Sequence, residues 1–302
     1  MTVLCVLQAR MGSTRLPGKV LMDVDGSPLL AFMLRRLGAL DVEVVLATSD
    51  RPADDPVAAC AEAIGVPVVR ASEADVLGRF GAALSDHPAD HVVRLTADCP
   101  LIDPGLVAEI IARHLDGGAD YTSNTIIRTH PDGLDVEVVR AEALAAAIDE
   151  AADPAEREHV TPFVYRRPDT YSLAAVVHDT PMGHLRWTVD TAADLQRVRD
   201  MVAAGATDQS WTDVLTALRP EERAPLLDGF DVAASPGTPA NRNLTLIIDG
   251  EARASLNVAV HDVGVTTLTH DIPEPLLPAA RRYLQAVRAQ TLQIVHIVKG
   301  AP

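Results

Sequence analysis

Short aliphatic runs alternating with helical stretches set the strongest limit on what this chain can fold into. Val3–Leu7, Val42–Ala47, Val66–Val69 and Val92–Leu95 are continuous and rich in β-branched residues, the pattern of strands buried on both faces. Between them, the stretches Leu29–Leu40, Pro56–Ile64 and Val76–Ser85 read as helices. Strand–helix–strand alternation of this kind builds a largely parallel sheet with helices packed on both faces. A helix follows at Pro104–Leu115, where Pro104 is pre-set for a first turn. Then come a strand at Asp135–Val139, helix Ala141–Glu150, strand Ser172–Val177 and helix Ala192–Ala203. Of the 302 residues 48% are hydrophobic and only 3% aromatic, so Ala, Val and Leu must fill the core.

The first strand runs straight into Gln8-Ala9-Arg10-Met11-Gly12-Ser13-Thr14-Arg15-Leu16-Pro17-Gly18-Lys19. Gly12 and Gly18 let backbone approach an anion closely, while Arg10, Arg15 and Lys19 can neutralise several phosphate charges. The whole chain carries a formal charge of −16, so a cationic cluster in one loop stands out from its background. The loop reads as a triphosphate cradle, against the plainer alternative of a solvated turn with scattered cations. It lacks the Gly-x-x-x-x-Gly-Lys-Ser/Thr spacing of a P-loop and the Gly-x-Gly-x-x-Gly of a dinucleotide site.

Ligands of open α/β sheets gather beyond the carboxyl ends of the strands. Asp98 sits there, in Arg94-Leu95-Thr96-Ala97-Asp98-Cys99-Pro100-Leu101-Ile102-Asp103-Pro104, where a carboxylate can hold Mg²⁺ against phosphate oxygens. Asp103, directly before Pro104, fits a helix cap instead. A lone carboxylate seldom fixes Mg²⁺, and Asp190 is the second candidate, at a strand end before the helix at Ala192. Capping by Asp190 or by Thr191 competes equally with that reading on residues alone.

Further candidates cluster in the middle of the chain. Tyr121-Thr122-Ser123-Asn124-Thr125 precedes Pro131-Asp132-Gly133, which is turn chemistry. Asp135 and Glu137 alternate with Val136 and Val138, so both carboxylates share one strand face, either plain solvent or the wall of a site. His159, in Arg157-Glu158-His159-Val160-Thr161-Pro162, is either a ligand group or a structural histidine. Arg79 either reaches a nucleotide or lies on the exposed face of its helix.

At these segments the chain resembles the cytidylyltransferase-like nucleotidyltransferases, and among them the spore coat polysaccharide biosynthesis protein F family. The resemblance covers residues 1–218 and includes Pro131-Asp132-Gly133-Leu134-Asp135-Val136-Glu137 without a gap. It implies a Rossmann-like, mostly parallel sheet of the nucleotide-diphospho-sugar transferase type. It also implies transfer of CMP from CTP to a small acceptor (a sugar acid, a phosphonate, or a sugar or polyol phosphate) with release of pyrophosphate. Under it, Arg10, Arg15 and Lys19 bear the triphosphate, Arg10 and Lys19 as catalytic groups, with Gly12, Ser13 and Arg79 also at the nucleotide. Gln8 and Ala9 lie at the base, and Asp98 and Asp190 hold Mg²⁺. Asn124, Asp132, Asp135, Glu137 and His159 shape the acceptor site. The assembly expected is a homodimer.

The tail departs from the family. Residues 219–243 read as a linker rich in Pro, Gly, Ala and Ser. Beyond it, residues 244–302 form a small α+β appendage: a hairpin of Leu244–Ile248 and Arg253–Val260 around Asp249-Gly250, a strand Val263–Thr269, and an amphipathic helix from Pro275 to Val298. So small a unit is expected to dock on the main domain or on a second subunit. His261, His270 and His296 lack a metal-ligand spacing.

The acidic balance argues against a nucleic-acid binder, whose footprint is a basic face. Cys5, Cys60 and Cys99 are odd in number and without metal spacing, which suggests free thiols in a reducing compartment. With no bilayer-length apolar stretch and no signal peptide pattern, a cytoplasmic location is expected and no membrane partner. Two other classes stay open: a glycosyltransferase using a nucleotide sugar, and a non-catalytic nucleotide-binding or scaffold module. The former is disfavoured because Thr96-Ala97-Asp98 offers one aspartate where such enzymes place two.

Overall fold

The computed structural model describes residues 1–178, 182–206 and 210–217, and 241–248, 252–260, 266–270 and 296–299 as strands. The first half alternates as the aliphatic runs require. Strand β1 (Val3–Gln8) leads through the hairpin β2 (Asp23–Val24) and β3 (Ser27–Pro28) to α1 (Leu29–Leu37). Then come β4 (Glu43–Ser49), α2 (Asp55–Glu62), β5 (Val68–Ala71), α3 (Val76–Asp86), β6 (His91–Thr96) and α4 (Pro104–Gly117). β4, β1 and β6 run parallel in adjacent positions, with β5 outside β4.

The second half turns the direction once. β7 (Tyr121–Ser123) and β8 (Glu137–Arg140) pair antiparallel, and β8 inserts antiparallel beside β6. After α5 (Ala141–Glu150), α6 (Pro154–His159) and α7 (Pro162–Tyr165), β9 (Leu173–Val177) runs parallel to β7. Helices α8 (Ala192–Ala203) and α9 (Trp211–Ala217) follow. The sheet is therefore Rossmann-like and mostly parallel in its central part, with helices on both faces.

Period-two alternation divides the core between those faces. Cys5, Leu7, Val93 and Leu95 pack with Leu30, Val57, Leu106 and Leu195, from α1, α2, α4 and α8. Leu4, Val6 and Val92 pack with Leu77, Leu144 and Phe163, from α3, α5 and α7. Arg94 stands two residues from Val92 and so on that second face. A charge there, flanked by the buried Val92, Val93 and Leu95, must find a partner.

Some boundaries differ from the sequence reading for identifiable reasons. The third strand begins at Val68, not Val66, because the Val66 N–H donates to Ala61 O and closes the end of α2. The strand expected from Asp135 begins at Glu137, since residues 131–135 are folded as a turn against 185–187. There Asp132 N donates to Leu185 O at 2.8 Å and Trp187 N to Asp132 O at 2.7 Å. Gly133 makes this approach possible: its φ is +109°, and a Cβ would lie 2.7 Å from the Trp187 carbonyl carbon.

Beyond α9, β10 (Asn241–Ile248) runs parallel to β9, with Leu244 beside Leu173. β11 (Ala252–Val260) and β12 (Thr266–His270) continue antiparallel, and β13 (His296–Lys299) pairs parallel with β12. The tail thus carries the main sheet onward from β9. Asn241 to Asn243, read as the end of the linker, belong to β10, and His296 to Val298, read as the end of the last helix, are strand. The rest of that helix, the Asp249-Gly250 turn and most of the linker lie outside the described residues. No described helix is long and apolar enough to cross a membrane.

Candidate active site

The loop after β1 is built on its own backbone. Ala9 N donates to Ala47 O, Ser13 N and Gly18 N both donate to Met11 O, and Lys19 N donates to Leu16 O. Gly18 takes a φ of +71°, the left-handed conformation that turns the chain into Lys19. Ser13 Oγ accepts from Leu16 N at 3.3 Å, so this hydroxyl braces the loop. Asp54, which the sequence reading missed, fixes it from outside: buried, it accepts from Met11 N at 2.6 Å and from the Ser49 hydroxyl.

Lys19 is the centre of the arrangement. Its Nζ donates to Asp190 Oδ1 at 2.9 Å, Asp98 Oδ2 at 3.2 Å and Val189 O at 2.6 Å. A backbone bond from Val189 N to Asp98 O, 2.8 Å, clips the same two segments together. Asp98 also accepts from Thr96 Oγ1 at 2.6 Å. Asp190 further meets Arg15 at 3.0 Å and Arg186 at 2.5 Å. Burial raises the Asp190 pKa, but the bond and charge of Lys19, with Arg186 and Arg15, outweigh it and hold the carboxyl below its usual range.

The competing cap readings resolve cleanly. Thr191 caps α8, its hydroxyl accepting from Asp194 N, while Asp194 returns to Thr191 N in a capping box. The Asp190 carboxylate takes no part and faces the cleft. Asp103 caps α4, accepting from Gly105 N and Leu106 N.

Three adjoining cavities share wall residues and together make a cleft at the carboxyl ends of β1 and β6. The first, about 370 Å³, is lined by the loop residues Gln8, Ala9, Arg10, Gly12, Ser13, Arg15 and Lys19, together with Asp98 and Asp190. Arg79 and His159 close its far wall. Arg79 is only 2% exposed, which removes the exposed-face alternative; its Nη1 donates to Ser72 O and Glu73 O. Burial, then the Arg10 charge, pull its pKa down against Asp54, Asp75 and Glu73.

The second cavity, about 280 Å³, lies between Asp98 and Asp190 on one side and Asp132, Asp135 and Glu137 on the other. Asp135 and Glu137 therefore wall a site. Arg128 holds Asp135 through two bonds of 2.6 and 2.8 Å, and Arg186 links Asp132, at 3.1 Å, to Asp190. Burial, with the Asp135 and Asp98 charges, raises the Asp132 pKa against Arg128 and Arg186. A third cavity of about 230 Å³ continues past Arg128, Asp135 and Glu137 to His159 and Tyr165.

Asn124 departs from the expected acceptor wall. Its amide is spent on backbone, donating to Leu134 O at 2.7 Å and accepting from Val136 N at 2.9 Å, so it shapes the wall from behind. Arg94 and the partners of Glu137 were missed. Glu137, 6% exposed, accepts from Arg94, from Tyr121 Oη at 2.6 Å and from Thr161 Oγ1 at 2.5 Å. The sequence did carry a signal: a lone arginine in the apolar run Val92-Val93-Arg94-Leu95 needs a carboxylate on a neighbouring strand. Glu137 is opposite it in register.

His159 and Thr161 flank a strained turn. Val160 has φ 72° and ψ −60°, and Thr161 N donates to His159 O at 2.9 Å, a γ-turn of the rarer hand. It sends the Thr161 hydroxyl to Glu137 and leaves His159 on the walls of two cavities.

Among the described residues no three His, Cys, Asp or Glu side chains gather as a metal cluster. Two carboxylates on one ammonium are what the cleft supplies.

Comparison with known proteins shows what the chain as a whole is similar to. Spore coat polysaccharide biosynthesis protein SpsF of Bacillus subtilis (strain 168) is 34% identical over 232 residues, 72% of this chain and 93% of that protein. A solved cytidylyltransferase from Leptospira borgpetersenii serovar Hardjo-bovis (strain JB197) superposes with a TM-score of 0.69 at 31% identity, covering 72% of this chain and 93% of that one. The CMP:2-keto-3-deoxy-manno-octonic acid synthetase structure complexed with CTP shares the fold, with a TM-score of 0.52 at 18% identity over 67% of this chain and 99% of that one. The profile of the cytidylyltransferase family matches residues 4–204. Matched over more than half of its length, the chain belongs to that family of nucleotidyltransferases.

Proposed function

We propose that the protein transfers CMP from CTP to a hydroxyl or other oxygen of a small acceptor, with release of pyrophosphate. The observation that carries this reading is Lys19: one ammonium from the basic loop meets two carboxylates from separate segments at the mouth of a cavity of about 370 Å³. That arrangement suits a polyanionic donor better than a neutral one. Family membership supports CTP as the donor.

Asp98 and Asp190 are the residues that would hold Mg²⁺. The donor set fits: two hard carboxylates already converge on one cation, and the adjoining cavities leave room for water and phosphate oxygens. Bound there, the ion supplies charge neutralisation for the triphosphate and the departing pyrophosphate.

The chain's own groups do the rest by position and charge. Arg10, Arg15 and Lys19 face the phosphates, and Gln8 and Ala9 lie at the strand end where the base is read. Asp132 is raised in pKa and faces the second cavity, which suits it to accept the proton of the attacking hydroxyl. Arg128 and Arg186 stand beside it, able to meet the anionic group of a sugar acid, a phosphonate or a sugar or polyol phosphate.

Pyrophosphate release with each of the four nucleoside triphosphates, Mg²⁺ and a pool of such acceptors tests the reading. Release with CTP that requires one acceptor and stops on chelation is expected. Faster release with another triphosphate would remove CTP. Thermal stabilisation by a nucleotide sugar but not by CTP would favour glycosyl transfer.

A further inference from the structure

Arg94 is the one residue that lines all three of the cavities described above. Its guanidinium is clamped from both neighbouring strands. Nε donates to Gln8 Oε1 of β1 at 3.2 Å, and Nη1 donates to Glu137 of β8. Burial works against the charge, but Glu137 more than restores it, so the net pKa is raised and the group stays cationic. Among the described residues Nη2 makes no hydrogen bond to protein, and the Arg94 side chain forms part of the wall of each cavity.

Glu137 is itself over-determined as the counter-ion. Tyr121 and Thr161 give it two further donors, and the Val160 γ-turn holds Thr161 in place. Such a network costs backbone strain, and strain of this kind persists where the surroundings enforce it. A guanidinium fixed in this way is pre-organised: its free edge does not have to reorient when a ligand arrives.

The location identifies the ligand. In a nucleotidyl transfer the acceptor oxygen must stand roughly 3–3.5 Å from the α-phosphorus before bond formation. The α-phosphate must therefore lie where the nucleotide cavity opens into the acceptor cavities. The basic loop lies at the nucleotide cavity, within reach of the other phosphates. We infer that Arg94 contacts the α-phosphate of the bound cytidine nucleotide, through the Nη2 edge left open at the junction of the three cavities. Glu137 acts through it, as a positioning residue. The inference rests on the cytidylyltransferase reading above.

The experiment is a binding ladder of cytidine, CMP and CTP, measured by calorimetry on the full chain as wild type, Arg94→Gln, Arg94→Lys and Arg94→Gln/Glu137→Gln. The double variant removes the buried carboxylate that Arg94→Gln would leave short of its counter-ion, so a folding defect in the single variant does not end the test. CMP and CTP should weaken by about the same factor, roughly tenfold or more, for a lost charge-assisted bond. Cytidine affinity should hold, and Arg94→Lys should recover part of the loss. A role confined to packing would change all three ligands together. Uniform weakening, or an unchanged ladder in a folded variant, overturns the inference. Wild type that binds neither CMP nor CTP overturns the cytidylyltransferase reading and the inference with it.

Discussion

Lys19 donates to Asp190 at 2.9 Å across 171 positions of sequence. The bond joins the loop after the first strand to the segment before α8, with Asp98 taking the same ammonium at 3.2 Å. Such convergence of one cation on two carboxylates is costly to maintain unless something uses it, because each desolvated charge needs a partner. Lys19→Ala and Asp98→Asn are each expected to lower CTP-dependent pyrophosphate release by about two orders of magnitude or more, the scale for a lost electrostatic contact in a transition state. Circular dichroism should show both folded. Wild-type turnover by either variant would take that residue out of the site.

Adjacent residues separate stability from chemistry. Thr191 caps α8, whereas Asp190 faces the cleft. Thr191→Ala should cost about 1 kcal/mol in chemical denaturation and leave turnover close to wild type. Asp190→Asn should do the reverse, dropping turnover about a hundredfold with a smaller change in stability. If the two variants were to exchange these signatures, Asp190 would be the helix-end residue and not a site group.

How much was legible follows from the kind of signal each residue leaves. Strands such as Leu4–Leu7 announce themselves because they are buried on both faces, and the helix read at Ala192–Ala203 matches α8, although the cap itself, Thr191 with Asp194, stays open between Asp190 and Thr191 on residues alone. The loop cations and Asp98 were legible because charge types cluster at a strand end. Arg94 was not singled out, since its meaning depends on Glu137 lying opposite in an antiparallel strand, a pairing that local pattern does not reveal. Asn124 misled for the converse reason. A polar residue near a motif looks like a ligand until both ends of its amide are found on backbone.

A buried histidine pair away from the cleft makes the fold sensitive to acid. His114 is fully buried, with its ring nitrogens 2.9 Å from Thr122 Oγ1 and from His91 Nδ1. Burial, then the His91 and Arg140 charges, push its pKa down to about 4 despite Asp120. Unfolded, the ring takes its proton near the ordinary 6.5; folded, it resists until about pH 4. Between those values the unfolded chain binds more protons, so stability rises with pH, is complete above 6.5 and is lost on acidification, by up to about 3 kcal/mol. Denaturation curves at pH 7.5, 6, 5 and 4.5 should trace this slope, and His114→Gln should reduce it, the remainder falling to buried His130, whose pKa burial also pushes down, to about 3. An unchanged slope in that variant would assign the acid sensitivity elsewhere.

Val160 offers a test of strain. It is fully buried yet sits at φ 72°, where a β-branched side chain is disfavoured. Val160→Ala keeps most of the strain and loses two methyl groups from the core, which should cost about 2 kcal/mol. Val160→Gly loses slightly more apolar volume and some unfolded-chain entropy, but relieves roughly 1–3 kcal/mol of backbone strain. Glycine is therefore expected to be the milder substitution, the reverse of the usual order at a buried position. Its turnover should nonetheless fall further than that of the alanine variant, since a relaxed turn no longer fixes Thr161 on Glu137 or His159 at the cleft wall. Chemical denaturation and pyrophosphate release measured on the same two variants decide it: a glycine variant less stable than the alanine variant by 1 kcal/mol or more would mean that the turn stores no appreciable strain.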